Sequence, residues 1–269
     1  SQNPFAPNRQ MEYDLKIDKI GFQGTDYTEI YSKGIWKNSH LDFQIETKTE
    51  QADAQFDGIF DWSQRLHLQG NGFISHFALP PQMQFPQDIV LKNTPLHIDL
   101  SVIDSNEWAL DGFLAIPRST WQTAKQQVEV TQMEIRFAEN QEEKTIQIES
   151  PFVQATLLGN ASFVILPNAF EQVTRHYFQA PNTPKLPQKE TSGSWSWQGT
   201  IQKHPILDLF IAQKIDFKPV TFHGELHTDM AQPSHFLCTS PFLKMDSLEA
   251  KDVSFHLETT EPSARITAS

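Results

Sequence analysis

Apolar and polar side chains alternate with a period of two along nine segments of the chain. The longest segment is Leu96, Ile98, Leu100 and Val102, with His97, Asp99 and Ser101 between its apolar positions. Because successive side chains of a β-strand point to opposite faces, each segment predicts a strand with one apolar and one polar face. Together they predict an all-β, antiparallel fold. The other eight segments are Tyr13/Leu15/Ile17, Leu41/Phe43/Ile45, Leu66/Leu68, Met133/Ile135/Phe137, Ile146/Ile148, Trp195/Trp197, Phe222/Leu226 and Val253/Phe255/Leu257.

Helical signals occur in two stretches only. Asn168 has the character of an N-cap, Glu171 follows three residues later, and the next apolar positions share one helical face: Phe170, Val173, Tyr177 and Phe178. This pattern predicts a short amphipathic helix that ends near residue 178. A second short helix is predicted from His204 to Ile211.

A stretch without alternation, residues 180–194, separates the two predicted helices. It contains Pro181, Pro184 and Pro187 and ends in Thr, Ser and Gly residues. This composition is typical of a linker or a long excursion. The sequence therefore predicts a β segment over 1–179 that ends in the amphipathic helix, and a further β segment over 195–269.

Glycine recurs beside apolar residues inside the predicted strands. A glycine inside a strand has no side chain to pack, so its recurrence predicts bends, bulges or a crowded backbone at these points. The spacing between the units is irregular, unlike that of a regular solenoid. The units are Phe56-Asp57-Gly58, Leu68-Gln69-Gly70, Leu110-Asp111-Gly112, Leu158-Gly159-Asn160, Trp197-Gln198-Gly199 and Phe222-His223-Gly224.

Charge and cysteine content exclude several functional classes. The 269 residues carry a formal charge of -12, so a surface that neutralises phosphates is not expected and nucleic acid is not a predicted partner. The single cysteine, Cys238, has no second thiol for an internal disulfide or a zinc knuckle. No uninterrupted apolar run exceeds four residues, against about 18 needed to span a bilayer.

Motifs of the common enzyme classes are not found in the sequence. It contains no Gly-x-Ser-x-Gly elbow, no phosphate-binding glycine loop and no His-Glu-x-x-His. His223 and His227 share a strand face, but a metal site would require a third ligand from elsewhere, so two solvated histidines are favoured. We therefore predict a protein that is not an enzyme, with no catalytic residues, no metal site and no cofactor.

The apolar faces of the predicted strands must be covered by another layer. A second sheet, closure into a barrel, or a lipid held in a trough would each provide that layer, and periodicity does not choose among them. The faces are bulky, since the chain has 20 Phe and 6 Trp. If the sheet forms a trough, the predicted lining residues are Leu96, Ile98, Leu100, Val102, Met133, Ile135, Phe137, Ile146, Ile148, Trp195, Trp197, Phe222, Leu226, Val253, Phe255 and Leu257.

The C-terminal half resembles the TamB proteins of Gram-negative bacteria, within the AsmA-like group. The resemblance rests on a strand with a central Gly159-Asn160 that leads into the helix closing on Tyr177-Phe178. It continues through the strand 194–201, the apolar helix 205–211, the Phe-x-Gly-x-Leu strand 222–226 and the segment 240–257. It is best over residues 145–259.

The resemblance implies an elongated antiparallel sheet that forms a U-shaped groove with an apolar lumen, called a β-taco or repeating β-groove. It further implies a periplasmic segment of a chain anchored in the inner membrane. Such a chain would carry phospholipid acyl chains between the membranes or assist the assembly of outer-membrane proteins. Its partner would be an outer-membrane barrel of the TamA type, contacted through parts outside this sequence. The family has no catalytic residues to carry over.

Two other functions remain open at the level of sequence. A secreted or surface β-sandwich would bind carbohydrate or protein, with Trp195 and Trp197 as an exposed platform. In a passive scaffold the apolar rows would form a dry core. Since the chain begins in Ser1-Gln2-Asn3-Pro4 without an initiator Met and ends in strand-like sequence, we expect it to be a piece of a longer protein.

Overall fold

A computed structural model describes residues 10–22, 25–80, 85–104, 109–139, 143–178, 192–211, 215–229, 231–260 and 263–269. Its strands are β1 Gln10–Phe22, β2 Thr25–Lys37, β3 His40–Lys48, β4 Ala52–Asp61, β5 Leu66–Ala78, β6 Val90–Asp104, β7 Ala109–Gln122, β8 Gln127–Glu139, β9 Lys144–Glu149, β10 Val153–Gly159, β11 Ser194–Ile201, β12 Ile215–Phe217, β13 Val220–His227, β14 His235–Met245, β15 Leu248–Thr260 and β16 Ser263–Ala268. The helices are α1 Leu166–Phe178, preceded by a 3-10 turn at Phe163–Ile165, and α2 Leu207–Phe210.

The strands belong to one 16-stranded open sheet. Hydrogen-bonded neighbours follow chain order from β1 to β11 and from β13 to β16, and β12 pairs with β14. The pairs whose register is described are antiparallel. The predicted all-β, antiparallel class with one or two short helices is confirmed. Neither helix in the described ranges is long and apolar enough to cross a membrane.

The chain divides into two compact units. The first comprises residues 1–103, 110–135 and 205–212, and the second comprises 104–109, 136–204 and 213–269. The first unit therefore includes α2, and the second includes α1. The predicted linker at 180–194 falls largely outside the described residues, which resume at residue 192.

Strand pairing gives the first unit one apolar face. Directly paired residues of an antiparallel ladder point to the same side of the sheet. Three adjacent rows across β1–β6 are almost entirely apolar or glycine, and we call them the first apolar face. The rows are Met11, Trp36, Leu41, Phe60, Leu68 and Leu100; Tyr13, Gly34, Phe43, Gly58, Gly70 and Ile98; and Leu15, Ser32, Ile45, Phe56, Gly72 and Leu96.

The opposite side of these strands is the first polar face. Most of its side chains are charged or carry amides, and Ile35 and Ile59 are the apolar members of the two central rows. The one-sided alternation predicted from the sequence is thus present in the sheet. These two rows are Glu12, Ile35, Asp42, Ile59, Gln69 and Asp99; and Asp14, Lys33, Gln44, Asp57, Asn71 and His97.

Left-handed residues lie inside four of the long strands: Glu29 in β2, Asn93 in β6, Gln132 in β8 and Asp252 in β15. Asn93 has φ 49° and Asp252 has φ 53°. At Asn93 the apolar positions change from odd to even numbers: Ile89 and Leu91 are buried before it, and Leu96, Ile98 and Leu100 follow it. A left-handed residue inside a strand bends the strand and re-aims the side chains that follow.

The second unit has the same division into faces. Its two central apolar rows, the second apolar face, are Ile146, Leu157, Trp197, Gly224, Phe236, Leu257 and Ile266; and Ile148, Ala155, Gly199, Phe222, Cys238, Phe255 and Ala268. The row between them on the other side, part of the second polar face, is Gln147, Thr156, Gln198, His223, Leu237, His256 and Thr267.

Helix α1 packs on one end of the second apolar face. Ala169 and Val173 are buried against Trp195 and Leu226, and partly buried apolar residues surround this cluster: Leu157, Ala161, Phe163, Ile165, Leu166, Tyr177 and Trp197. The predicted amphipathic helix is confirmed, but two details of the prediction are wrong: Asn168 is not its N-cap, and Phe170 is 57% exposed instead of belonging to the buried face. The helix begins at Leu166, so Pro167 lies in its first turn. N–H groups in the first turn have no acceptor within the helix, so the missing N–H of proline costs no helical hydrogen bond.

Helix α2 belongs to the first unit and is shorter than the predicted span from His204 to Ile211. Ile206 and Leu209 are fully buried. The ring of Phe210 lies 5.2 Å from that of Phe85 and 5.6 Å from that of Trp121. These contacts anchor the short helix by its aromatic side chain.

Candidate functional site

The first apolar face is only partly shielded from solvent. Met11 is 47% exposed, Leu15 49% and Ile45 38%. In a core made by two sheets packed face to face, residues at such positions would be buried. Apolar side chains therefore line an accessible surface, and such a surface is typical of a site that binds an apolar ligand or partner.

The structure places the predicted lining residues of the first unit on two elements. Leu96, Ile98 and Leu100 lie on the first apolar face, and Val102 continues their side of β6 opposite Leu66. All four are half-buried. Met133, Ile135 and Phe137 lie in β8 and are half-buried as well; Met133 and Ile135 belong to the first unit, and Phe137 belongs to the second.

The predicted lining residues of the second unit differ in accessibility. Trp195 is 1% exposed and Leu226 3%, because α1 covers them. The others lie on the same side of the sheet and are half-buried or, for Ile148, exposed: Ile146, Ile148, Trp197, Phe222, Val253, Phe255 and Leu257. Since Trp195 is buried, the exposed two-tryptophan platform of the carbohydrate-binding alternative is absent.

Aromatic rings cover several glycines of both apolar faces. A Cβ added to Gly70 would lie 2.5 Å from Cζ of Phe56, and one added to Gly199 would lie 2.5 Å from Cζ of Phe222. Further rings crowd other glycines: Tyr13 at Gly34, Phe43 at Gly58 and Trp197 at Gly224. The crowding predicted from the glycine units thus comes largely from neighbouring rings, which cover the bare backbone on the apolar side.

Two depressions open on the polar faces. The one in the first unit has a volume of about 1190 Å³ and is lined by both central polar rows together with the glycine-rich row between them. The Phe56 ring covers Gly58 and Gly70 on the apolar side, and Phe56 does not line the depression. The depression therefore contacts the backbone of these glycines from the polar side. The depression in the second unit has a volume of about 980 Å³ and is lined in the same manner.

Histidines cluster around one carboxylate on the second polar face. His227 Nε2 lies 3.5 Å and His235 Nδ1 lies 3.9 Å from Glu225 Oε2, and the His223 ring is 6.1 Å from that of His235. Among the described residues, no group of three or more His, Cys, Asp or Glu side chains has the arrangement of a metal site. His223, which with His227 formed the pair noted in the sequence, is exposed.

Cys238 provides a native probe of the second apolar face. It lies between Phe222 and Phe255 in one row, and burial raises the pKa of its thiol. Because the thiolate is the reactive form, we expect maleimide to modify Cys238 more slowly in the folded protein than in urea at the same pH. Mass spectrometry of timed samples would measure the two rates. Equal rates would contradict this placement of the thiol.

Comparison of the chain with protein-family models, with curated proteins and with solved structures finds no match. The functional argument therefore rests on the residues themselves.

Proposed function

We propose that the chain is a non-enzymatic segment whose apolar faces hold the acyl chains of phospholipids. The observation that carries the proposal is the partial exposure of the first apolar face at Met11, Leu15 and Ile45. Each buried methylene of an acyl chain contributes about 0.8 kcal/mol, so a lipid tail gains affinity by covering such a surface.

The dimensions of the first apolar face support an acyl chain laid across the strands. Each row crosses six strands, from β1 to β6. Five steps of about 4.8 Å give a row length of roughly 24 Å. One leaflet of a bilayer core is about 15 Å thick, so a single row exceeds the length of a lipid tail.

The proposed setting follows the resemblance to the TamB proteins. The segment would lie in the periplasm as part of a chain anchored in the inner membrane. There it would move phospholipid between the inner and outer membranes, assist outer-membrane protein assembly, or do both. A TamA-like outer-membrane barrel would be contacted through parts of the parent chain outside this sequence.

Two isoleucines provide a matched test of the lipid-binding face. Ile45 lies on the first apolar face and Ile59 on the first polar face, on adjacent strands, and both are 38% exposed. A photoreactive benzophenone amino acid placed at Ile45 is expected to form phospholipid adducts in cells, whereas the same group at Ile59 is not. Mass spectrometry of the irradiated, purified protein would detect the adducts.

The two positions differ in the face of the sheet, while residue type and exposure are the same. Adducts at Ile45 alone would therefore support an acyl-binding apolar face. Equal labelling at both positions, or no lipid at Ile45 under conditions in which a known lipid carrier is labelled, would contradict the proposal.

A further inference from the structure

The depression on the second polar face is lined by seven neutral polar side chains and by the ionisable residues Glu149, His223, Glu225 and His235. The lining residues with amide or hydroxyl groups come from β9, β10, β11 and β13, and Leu158 is the apolar lining residue that lies on the polar side of its strand. The residues that the structure places in this lining include neither Lys nor Arg. The neutral polar members are Gln147, Gln154, Thr156, Ser196, Gln198, Thr200 and Thr221.

Three glutamine amides in this depression are available to a ligand. Gln147, Gln154 and Gln198 are exposed, and their side chains make no hydrogen bond to the described part of the chain. Each amide offers two donor hydrogens and an acceptor oxygen. Two carboxylates, Glu149 and Glu225, also line the depression, and Glu225 is within ion-pair distance of His227 and His235.

The chemistry of the lining excludes two ligand classes. A phosphate or carboxylate ligand is disfavoured, because the carboxylates of Glu149 and Glu225 would repel it and the described lining contains neither Lys nor Arg. An apolar ligand would require apolar walls, whereas Trp197 and Phe222 direct their rings to the other side of the sheet, over Gly224 and Gly199. A neutral ligand rich in hydroxyl groups matches the amide and hydroxyl groups of the lining, because hydroxyl groups both donate and accept hydrogen bonds.

The spacing of the polar side chains suits an extended chain of sugars. The lining contains a row of Gln147, Thr156, Gln198 and His223 and a second row of Gln154, Thr200 and Thr221, so each of β9, β10, β11 and β13 contributes an amide or a hydroxyl group. Neighbouring strands are about 4.8 Å apart, close to the length of one pyranose ring in an extended glycan. A glycan laid across the strands would thus meet at least one amide or hydroxyl group at each ring.

We propose that this depression binds a neutral glycan chain across β9, β10, β11 and β13. The site lies on the opposite side of the sheet from the second apolar face and does not depend on lipid binding. It is also distinct from a tryptophan platform, because its specificity comes from hydrogen bonds made by Gln147, Gln154 and Gln198.

The test uses two neutral hexasaccharides, chitohexaose and cellohexaose, titrated into the protein by isothermal calorimetry or ligand-observed NMR. We expect saturable binding to at least one of them. Gln154→Ala and Gln198→Ala should each raise Kd about fivefold to tenfold, as loss of a net hydrogen bond implies. Gln55→Ala is the matched control, since Gln55 is an exposed glutamine of the first polar face outside both depressions.

Raising the salt concentration should leave Kd nearly unchanged, because the proposed contacts involve no ion pair. The proposal is overturned if neither hexasaccharide binds saturably, if the Gln154→Ala/Gln198→Ala double variant binds as the parent does, or if binding weakens steeply with salt. Circular dichroism would verify that the variants keep the parent fold, as expected for changes at exposed residues.

Discussion

Trp195→Ala is expected to lower the free energy of unfolding of the second unit by about 3–5 kcal/mol. The ring is 1% exposed and packs among Ala169, Val173 and Leu226, where α1 meets the sheet. Its Nε1–H also donates to the carbonyl oxygen of Ala161 at 3.3 Å. Removal of the ring leaves a cavity that the helix and the rigid sheet cannot fully close, and it leaves that carbonyl without this donor.

Urea denaturation followed by circular dichroism would measure this loss, with limited proteolysis to locate the first region to open. Phe170→Ala is the matched control, because Phe170 is on the same helix and 57% exposed. Its effect should stay within about 0.5 kcal/mol. A Trp195→Ala variant as stable as the Phe170→Ala variant would show that α1 contributes little to the stability of the unit.

The strands are the part of the fold that the sequence predicts well. At Leu96, Ile98 and Leu100 the alternation follows directly from the separation of an apolar and a polar face, so it requires no knowledge of the partner strands. The bend at Asn93 was not predicted. A left-handed conformation is only a mild preference of Asn and Asp, and polar residues at such positions resemble any polar-face residue.

Long-range contacts explain what the sequence did not reveal about the site. Trp195 and Trp197 have the same pattern in the sequence, yet α1 buries the first and leaves the second half-buried. Pairing of β9, β10 and β11 brings Gln147, Gln154 and Gln198 into one depression. Periodicity identifies the two faces of a strand but contains no information about which face is concave or covered.

Gly70→Ala is expected to destabilise the first unit by about 1–3 kcal/mol, as overpacking does in other well-packed sites. The new Cβ would lie 2.5 Å from Cζ of Phe56 and 2.6 Å from the carbonyl oxygen of Asp57. The Phe56 ring has some freedom to turn aside, but the Asp57 carbonyl belongs to the backbone of β4, which pairs with β5 at this point. The ladder itself must therefore shift to admit a methyl group.

Gly21→Ala is the matched control, because Gly21 is a strand glycine and, among the described residues, the atom nearest to its added Cβ is Asp26 Oδ1, at 3.5 Å. Its effect should lie within about 0.5 kcal/mol of zero. The double variant Phe56→Ala/Gly70→Ala separates the two contacts. If Gly70→Ala costs little stability in the Phe56→Ala background, the destabilisation comes from the Phe56 ring. If the cost persists, it comes from the Asp57 carbonyl. If Gly70→Ala is as harmless as Gly21→Ala in thermal and urea unfolding, the close approach of the Phe56 ring and the Asp57 carbonyl to this glycine is contradicted.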